Sequence, residues 1–172
     1  MNAILAAWNA AGESQAIEAM IACCGARRWA EAMAAQRPIA GVEVLCAAAN
    51  REWSRMEEAD WLEAFARHPR IGERSPRHFA QATAKSEAWS KQEQAGAASA
   101  AARVLEELAE GNALYEQRYG FTYIVCATGK TAEEMLAILK RRLASGRATE
   151  LCEAAEQQRQ IMQIRLRKWM AE

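Results

Sequence analysis

Apolar residues recur along most of this chain at intervals of three and four, the spacing that lines one face of an α-helix. Near the C-terminus, Ile161, Met162, Leu166 and Trp169 form such a stripe, and Arg165 rides on it. Local punctuation cuts the pattern into pieces. Ser54-Arg-Met-Glu57 and Thr131-Ala-Glu-Glu134 have the spacing of capping boxes, in which a hydroxyl and a later carboxylate satisfy orphan N–H groups reciprocally. Ser75 followed by Pro76 reads as an N-cap with proline at the first helical position. Stop signals fall at Gly25, Pro38, Pro69, Gly120, Gly129 and Gly146. The pattern predicts helices near 3–11, 14–23, 26–35, 41–50, 55–67, 76–84, 88–118, 131–144 and 148–169, the longest of them bending near Gly111.

One segment dissents. FTYIVCA, residues 121 to 127, is rich in aromatic and β-branched residues and would suit a buried strand. A lone strand has no partner for its backbone, and no second candidate strand exists in the sequence. The expectation is an extended, buried connection inside an all-α, single-domain protein of about nine helices. Its peptide groups then need other partners, and a ligand is one source of them.

Composition narrows the class. A chain of 172 residues with 51% hydrophobic residues can bury a full core. Its formal net charge is zero, which gives no basic field for nucleic acid or an anionic membrane. No apolar run reaches bilayer-spanning length, and MNAILAAWNAAGESQ lacks the basic and apolar regions of a signal peptide. A cytoplasmic setting is the expectation. The five cysteines, at 23, 24, 46, 126 and 152, match no metal-ligand spacing and read as free thiols, most of them buried.

Three places carry candidate chemistry. The string ARHPRIGERS puts His68, one of only two histidines, where a helical run breaks against Pro69. On position alone it is either a helix C-terminal histidine favoured by the dipole or a general acid/base held on a rigid bend. In WSKQEQAG, residues Ser90, Glu93 and Gln94 stand at i, i+3 and i+4 on one helical face. That face continues through Ala97, Ala101, Val104, Leu105 and Leu108, so Glu93 points to the core side. A core-facing acid is costly if unused; the alternative is a solvated glutamate favoured in a helix's first turn. Arg165, in its apolar wall, suits bidentate binding of a carboxylate or ureido group, or a structural salt bridge.

Taken together the strings are not independent. HPRIG at 68–72, Ser90-x-x-Glu93-Gln94-Ala95-Gly96, Asn112-x-x-Tyr115, Tyr119-Gly120-Phe121, IVCATGKT, Arg142-Leu143, Glu150 and Ile161-x-x-x-Arg165-Leu166 occur in this order. In that order they resemble the OHCU decarboxylase family (2-oxo-4-hydroxy-4-carboxy-5-ureidoimidazoline decarboxylase) over nearly the whole chain. The departure is Tyr119, where the family usually has phenylalanine before Gly-Phe. The resemblance implies an all-α fold, no cofactor and a homodimer, with OHCU as substrate and (S)-allantoin as product. It implies His68 as catalytic acid/base with Glu93 as its partner. Pro69, Ser90, Gln94 and Arg165 would line the site. The backbone of Tyr123, Ile124, Val125, Cys126 and Ala127 would bind the ring or ureido amides.

The chemistry fits a protein without an electron sink of its own. Most decarboxylases borrow one from a cofactor, and this sequence shows no phosphate loop, lysine motif or metal cluster. The C=N bond beside the carboxylated carbon of OHCU would serve instead. The competing readings are a helical interaction module, with His68 as a cap, and a hydrolase acting on a related ureido compound.

Overall fold

The computed structural model describes residues 2–71 and 102–172. Among these residues all regular structure is helical: α1 (Ala3–Ala10), α2 (Glu13–Cys24), α3 (Arg27–Ala34), α4 (Val42–Trp53), α5 (Glu58–Phe65), α6 (Ala102–Tyr119), α7 (Ala132–Arg142) and α8 (Arg147–Met170). The fold is all-α, as the periodicity predicts. The helix expected at 76–84 and the first part of that expected at 88–118 lie outside the described residues.

The helix ends show why the boundaries fall where they do. Asn2 caps α1, its side-chain oxygen accepting from the N–H groups of Ile4 and Leu5 at 2.9 and 3.2 Å. Gly25 closes α2 in the left-handed conformation (φ 97°), open to glycine without a Cβ penalty. Thr131 and Glu134 form the reciprocal capping box at α7. The box expected at Ser54 does not form. Ser54 instead ends α4 in helical geometry and donates its hydroxyl to the Arg51 carbonyl at 2.8 Å. The Glu57 N–H goes to Asp60 at 2.9 Å, and α5 starts at Glu58 rather than 55. A serine just after one helix satisfied that helix's carbonyls, which are closer than the next helix's donors.

The chain forms two compact units, Met1–Ala64 with Arg159–Glu172, and Phe65–Gln158. In the first, Trp8, Met20, Trp29, Met33, Leu45, Met162 and Leu166 are buried. The indole N–H groups of Trp8 and Trp29 are satisfied by the carbonyls of Ala16 and Ala49 at 3.0 and 3.1 Å. Trp169 meets Trp8 edge-on at 6.0 Å between ring centroids. Gln163 Nε2 and Arg159 Nη1 both donate to Asn50 Oδ1 at 3.0 Å, tying α8 to α4.

In the second unit α6 turns Leu108, Asn112, Tyr115 and Tyr119 inward. Tyr115 is the hub of an aromatic cluster, with ring centroids 4.7 Å from Tyr119, 5.6 Å from Phe121 and 5.3 Å from Tyr123. Edge-on geometry aligns ring edges with ring faces and stabilises each pair beyond its buried area. The bend expected at Gly111 is not needed to explain the glycine, because α6 is continuous through it. A Cβ there would lie 2.6 Å from Leu139 Cδ2, so the glycine lets α7 approach. Four of the five cysteines are buried free thiols and Cys152 is exposed.

Candidate active site

His68 follows α5 on a turn closed by its own backbone, its N–H donating to the Phe65 carbonyl at 3.0 Å. The main chain therefore caps that carbonyl, and His68 is half-buried. Beyond Pro69, two side chains of α6 hold the turn. Asn112, fully buried, donates from Nδ2 to the carbonyls of Ile71 (2.9 Å) and Leu108 (2.7 Å). Glu116 takes Arg70 in a fork, Nε to Oε1 at 2.7 Å and Nη2 to Oε2.

The segment that the sequence singles out runs from 122 to 127 as neither helix nor strand. The side chains of Tyr123, Ile124, Val125, Cys126 and Ala127 are all buried. Its peptide groups find partners in an alternating pattern. Ile124 O accepts from Arg142 Nη1 at 2.6 Å, Cys126 N–H donates to Gln157 Oε1 at 2.9 Å, and Cys126 O accepts from Lys130 Nζ at 2.8 Å. Ala127 O accepts from the Lys130 N–H at 3.0 Å. In an extended chain the N–H and C=O of one residue share an edge, and neighbouring residues use opposite edges. On the even-numbered edge the Ile124 carbonyl and both peptide groups of Cys126 are thus braced by protein side chains. Among the described residues, the N–H and C=O of Tyr123 and Val125 on the other edge have no partner.

Arg142 is the brace, and the sequence reading missed its role. It is buried on α7 and reaches Glu150 Oε1 from Nε, Ile124 O from Nη1 and the Tyr115 hydroxyl from Nη2. Tyr115 in turn donates its hydroxyl proton to Glu150. The guanidinium carbon lies 4.9 Å from the Tyr123 ring centroid, within cation–π range. Burial would weaken the charge on Arg142, but the hydrogen bond and charge of Glu150 outweigh it and hold the guanidinium protonated. Burial pushes the Tyr115 and Tyr123 phenols well above the ordinary tyrosine value, against the pull of Arg142. The signal that could have flagged this network is two opposite charges, Arg142 and Glu150, each among apolar neighbours on facing helices.

The remaining candidates divide. Arg165 is buried on α8. Pro69 is half-buried beside His68. Ser90, Glu93 and Gln94 lie outside the described residues. Among the described residues no group of three or more His, Cys, Asp or Glu could hold a metal ion. No described helix is long and apolar enough to cross a membrane.

The fold has known counterparts. The structure is similar to a crystal structure of an OHCU decarboxylase in the presence of (S)-allantoin. The TM-score is 0.75 and the identity 32%, over 94% of this chain and all of the other. It also shares its fold with an (S)-allantoin synthase, at a TM-score of 0.69 and 18% identity, over 96% of this chain and 53% of that one. These define the class, a helical enzyme. Residues 9–167 match the sequence pattern of OHCU decarboxylases, and the chain belongs to that family of carboxy-lyases. The uric acid degradation bifunctional protein TTL of Arabidopsis thaliana is 36% identical over 146 residues, 85% of this chain. The chain spans less than half of that relative's length, 44%.

Proposed function

We propose that this protein catalyses the cofactor-independent decarboxylation of OHCU to (S)-allantoin in urate breakdown. The observation that carries the reading is the half-braced segment 123–127. One edge is held by Arg142, Gln157 and Lys130, while the peptide groups of Tyr123 and Val125 have no partner among the described residues. Alternating donors and acceptors suit a ureido group and a cyclic amide, which present the complementary pattern.

The step balances without an added electron sink. The bond from the ring carbon to the carboxylate breaks and CO2 leaves. The electron pair forms a double bond to the neighbouring ureido-bearing carbon while the C=N π pair moves onto its nitrogen, which takes up a proton. The ring carbon bearing the ureido group then takes up a proton, and the 4-hydroxyl becomes a carbonyl as its own proton departs. His68 is the acid/base for these transfers, with Glu93 orienting it. Pro69, Ser90, Gln94 and Arg165 complete the residues that contact substrate. The face from which the proton arrives sets the product's handedness. We read residues 1–172 as one decarboxylase domain, acting in the cytoplasm as a homodimer. Light scattering on the purified chain tests the dimer.

The chemical test supplies freshly generated OHCU and follows product by circular dichroism. A positioned acid/base group contributes about 10²–10⁴ in rate, so His68→Ala should raise the barrier by at least about 3 kcal/mol. The assignment fails if His68→Ala and Glu93→Gln both form (S)-allantoin as fast as the parent. Release of ammonia or urea in place of CO2 would point to the hydrolytic alternative.

A further inference from the structure

Asn112 and Glu116 lie one turn apart on α6, on one face. Both grip the loop that follows His68, Asn112 at the Ile71 carbonyl and Glu116 at the Arg70 side chain. Glu116 does a second thing. Its Oε1 also accepts the Thr122 hydroxyl at 3.1 Å. One carboxylate therefore touches the residue two places after His68 and the residue just before Tyr123.

We propose that Glu116 is a positioning residue for the decarboxylation, a clasp that sets the His68 turn against the head of the 123–127 segment. The proposal rests on the reading above, in which His68 handles the proton and that segment holds the substrate. An ordinary surface ion pair needs only two partners; the Thr122 hydroxyl makes this carboxylate a bridge between two pieces of chain. The planar guanidinium fork fixes direction as well as distance, which a lysine would not do. Such precision matters because an error of about 1 Å between an acid/base and its substrate can cost about 10²-fold in rate. Asn112 holds the same turn independently, so loosening the clasp leaves the turn folded while shifting it.

The two ends of the clasp give different kinetic signatures. Arg70→Met releases the histidine side while Thr122 keeps Glu116, so kcat should fall about tenfold with KM near the parent value. Thr122→Val releases the substrate edge, so KM should rise about three- to tenfold with kcat little changed. Glu116→Ala should show both effects, and Arg70→Lys should restore part of kcat. Each variant is assayed on fresh OHCU and checked for folding by its far-ultraviolet circular dichroism melt. A purely structural role would lower the melting temperature and leave the kinetics of the folded fraction unchanged. Parent-like kcat and KM in Arg70→Met and Thr122→Val, or equal changes at both ends, would overturn the clasp alone. A parent that releases no CO2 would overturn the functional reading, and this proposal with it.

Discussion

Arg142–Glu150 and Arg70–Glu116 are the same two residue types, each pair meeting through the guanidinium Nε and Nη2. Side chains of the first pair are 4% and 1% exposed, those of the second 27% and 20%. The sealed pair has every charge accounted for by Tyr115 and the Ile124 carbonyl. Its energetic role is asymmetric. Making a buried pair gains little net free energy over an apolar replacement, but removing one partner strands a charge in the interior. The half-open pair is screened by solvent and contributes little to stability whichever partner is removed. The difference teaches that ion pairs near a site need not share a purpose. One braces the Ile124 carbonyl from the interior; the other is open enough to be loosened, and alignment is the role proposed for it.

That contrast can be broken in three places. The largest effect is expected from Glu150→Ala, which should cost about 3–5 kcal/mol in a urea melt by leaving Arg142 charged and buried. If it unfolds within about 1 kcal/mol of the parent, the sealed pair is not what braces the segment.

An intermediate effect comes from alkali. Tyr115 and Tyr123 have folded pKa values raised above the unfolded value, so their contribution is fully present below about pH 10. Above that the unfolded phenols ionise while the buried ones do not. Stability should fall by about 1.4 kcal/mol per pH unit for each tyrosine until the folded groups titrate. Cys46, its thiol also raised by burial, adds a loss beginning near its ordinary value of 9.0. The measurement is therefore a difference, and Tyr115→Phe should show the shallower slope above pH 10. An unchanged slope would mean that the phenol titrates freely in the folded state. The smallest effect is Glu116→Gln in the same urea melt, expected within about 1 kcal/mol of the parent. A loss as large as that of Glu150→Ala would make the two pairs equivalent.

Much of the fold was legible because helices announce themselves locally. Apolar periodicity located the described helices to within a few residues, and Thr131 with Glu134 marked the start of α7 correctly. Ser54 misled because a serine lying between two helices, with an acid three residues on, has the same spelling whether it opens one or closes the other. The FTYIVCA segment was legible as an unpaired connection, since no second strand was available to it. What held it was not. Arg142, Gln157 and Lys130 act through hydrogen bonds across the fold, and no spacing rule connects them to residues 124 and 126. Glu116 was hidden for the same reason: beside Asn112 and Tyr115 it looks like one more helix-surface acid. The Ser90–Gln94 part of the candidate site lies outside the described residues, and its test is kinetic.

The notch at Gly111 carries a mechanical consequence. Leu139 packs into it, so the close approach of α7 to α6 at this point depends on the absence of a side chain at 111. Because Arg142 is less than one turn further along α7, the guanidinium that steadies the Ile124 carbonyl inherits its axial address from a missing methyl group. A bulkier residue at 111 would make the Leu139 side chain shift, and a shorter residue at 139 would relieve the contact.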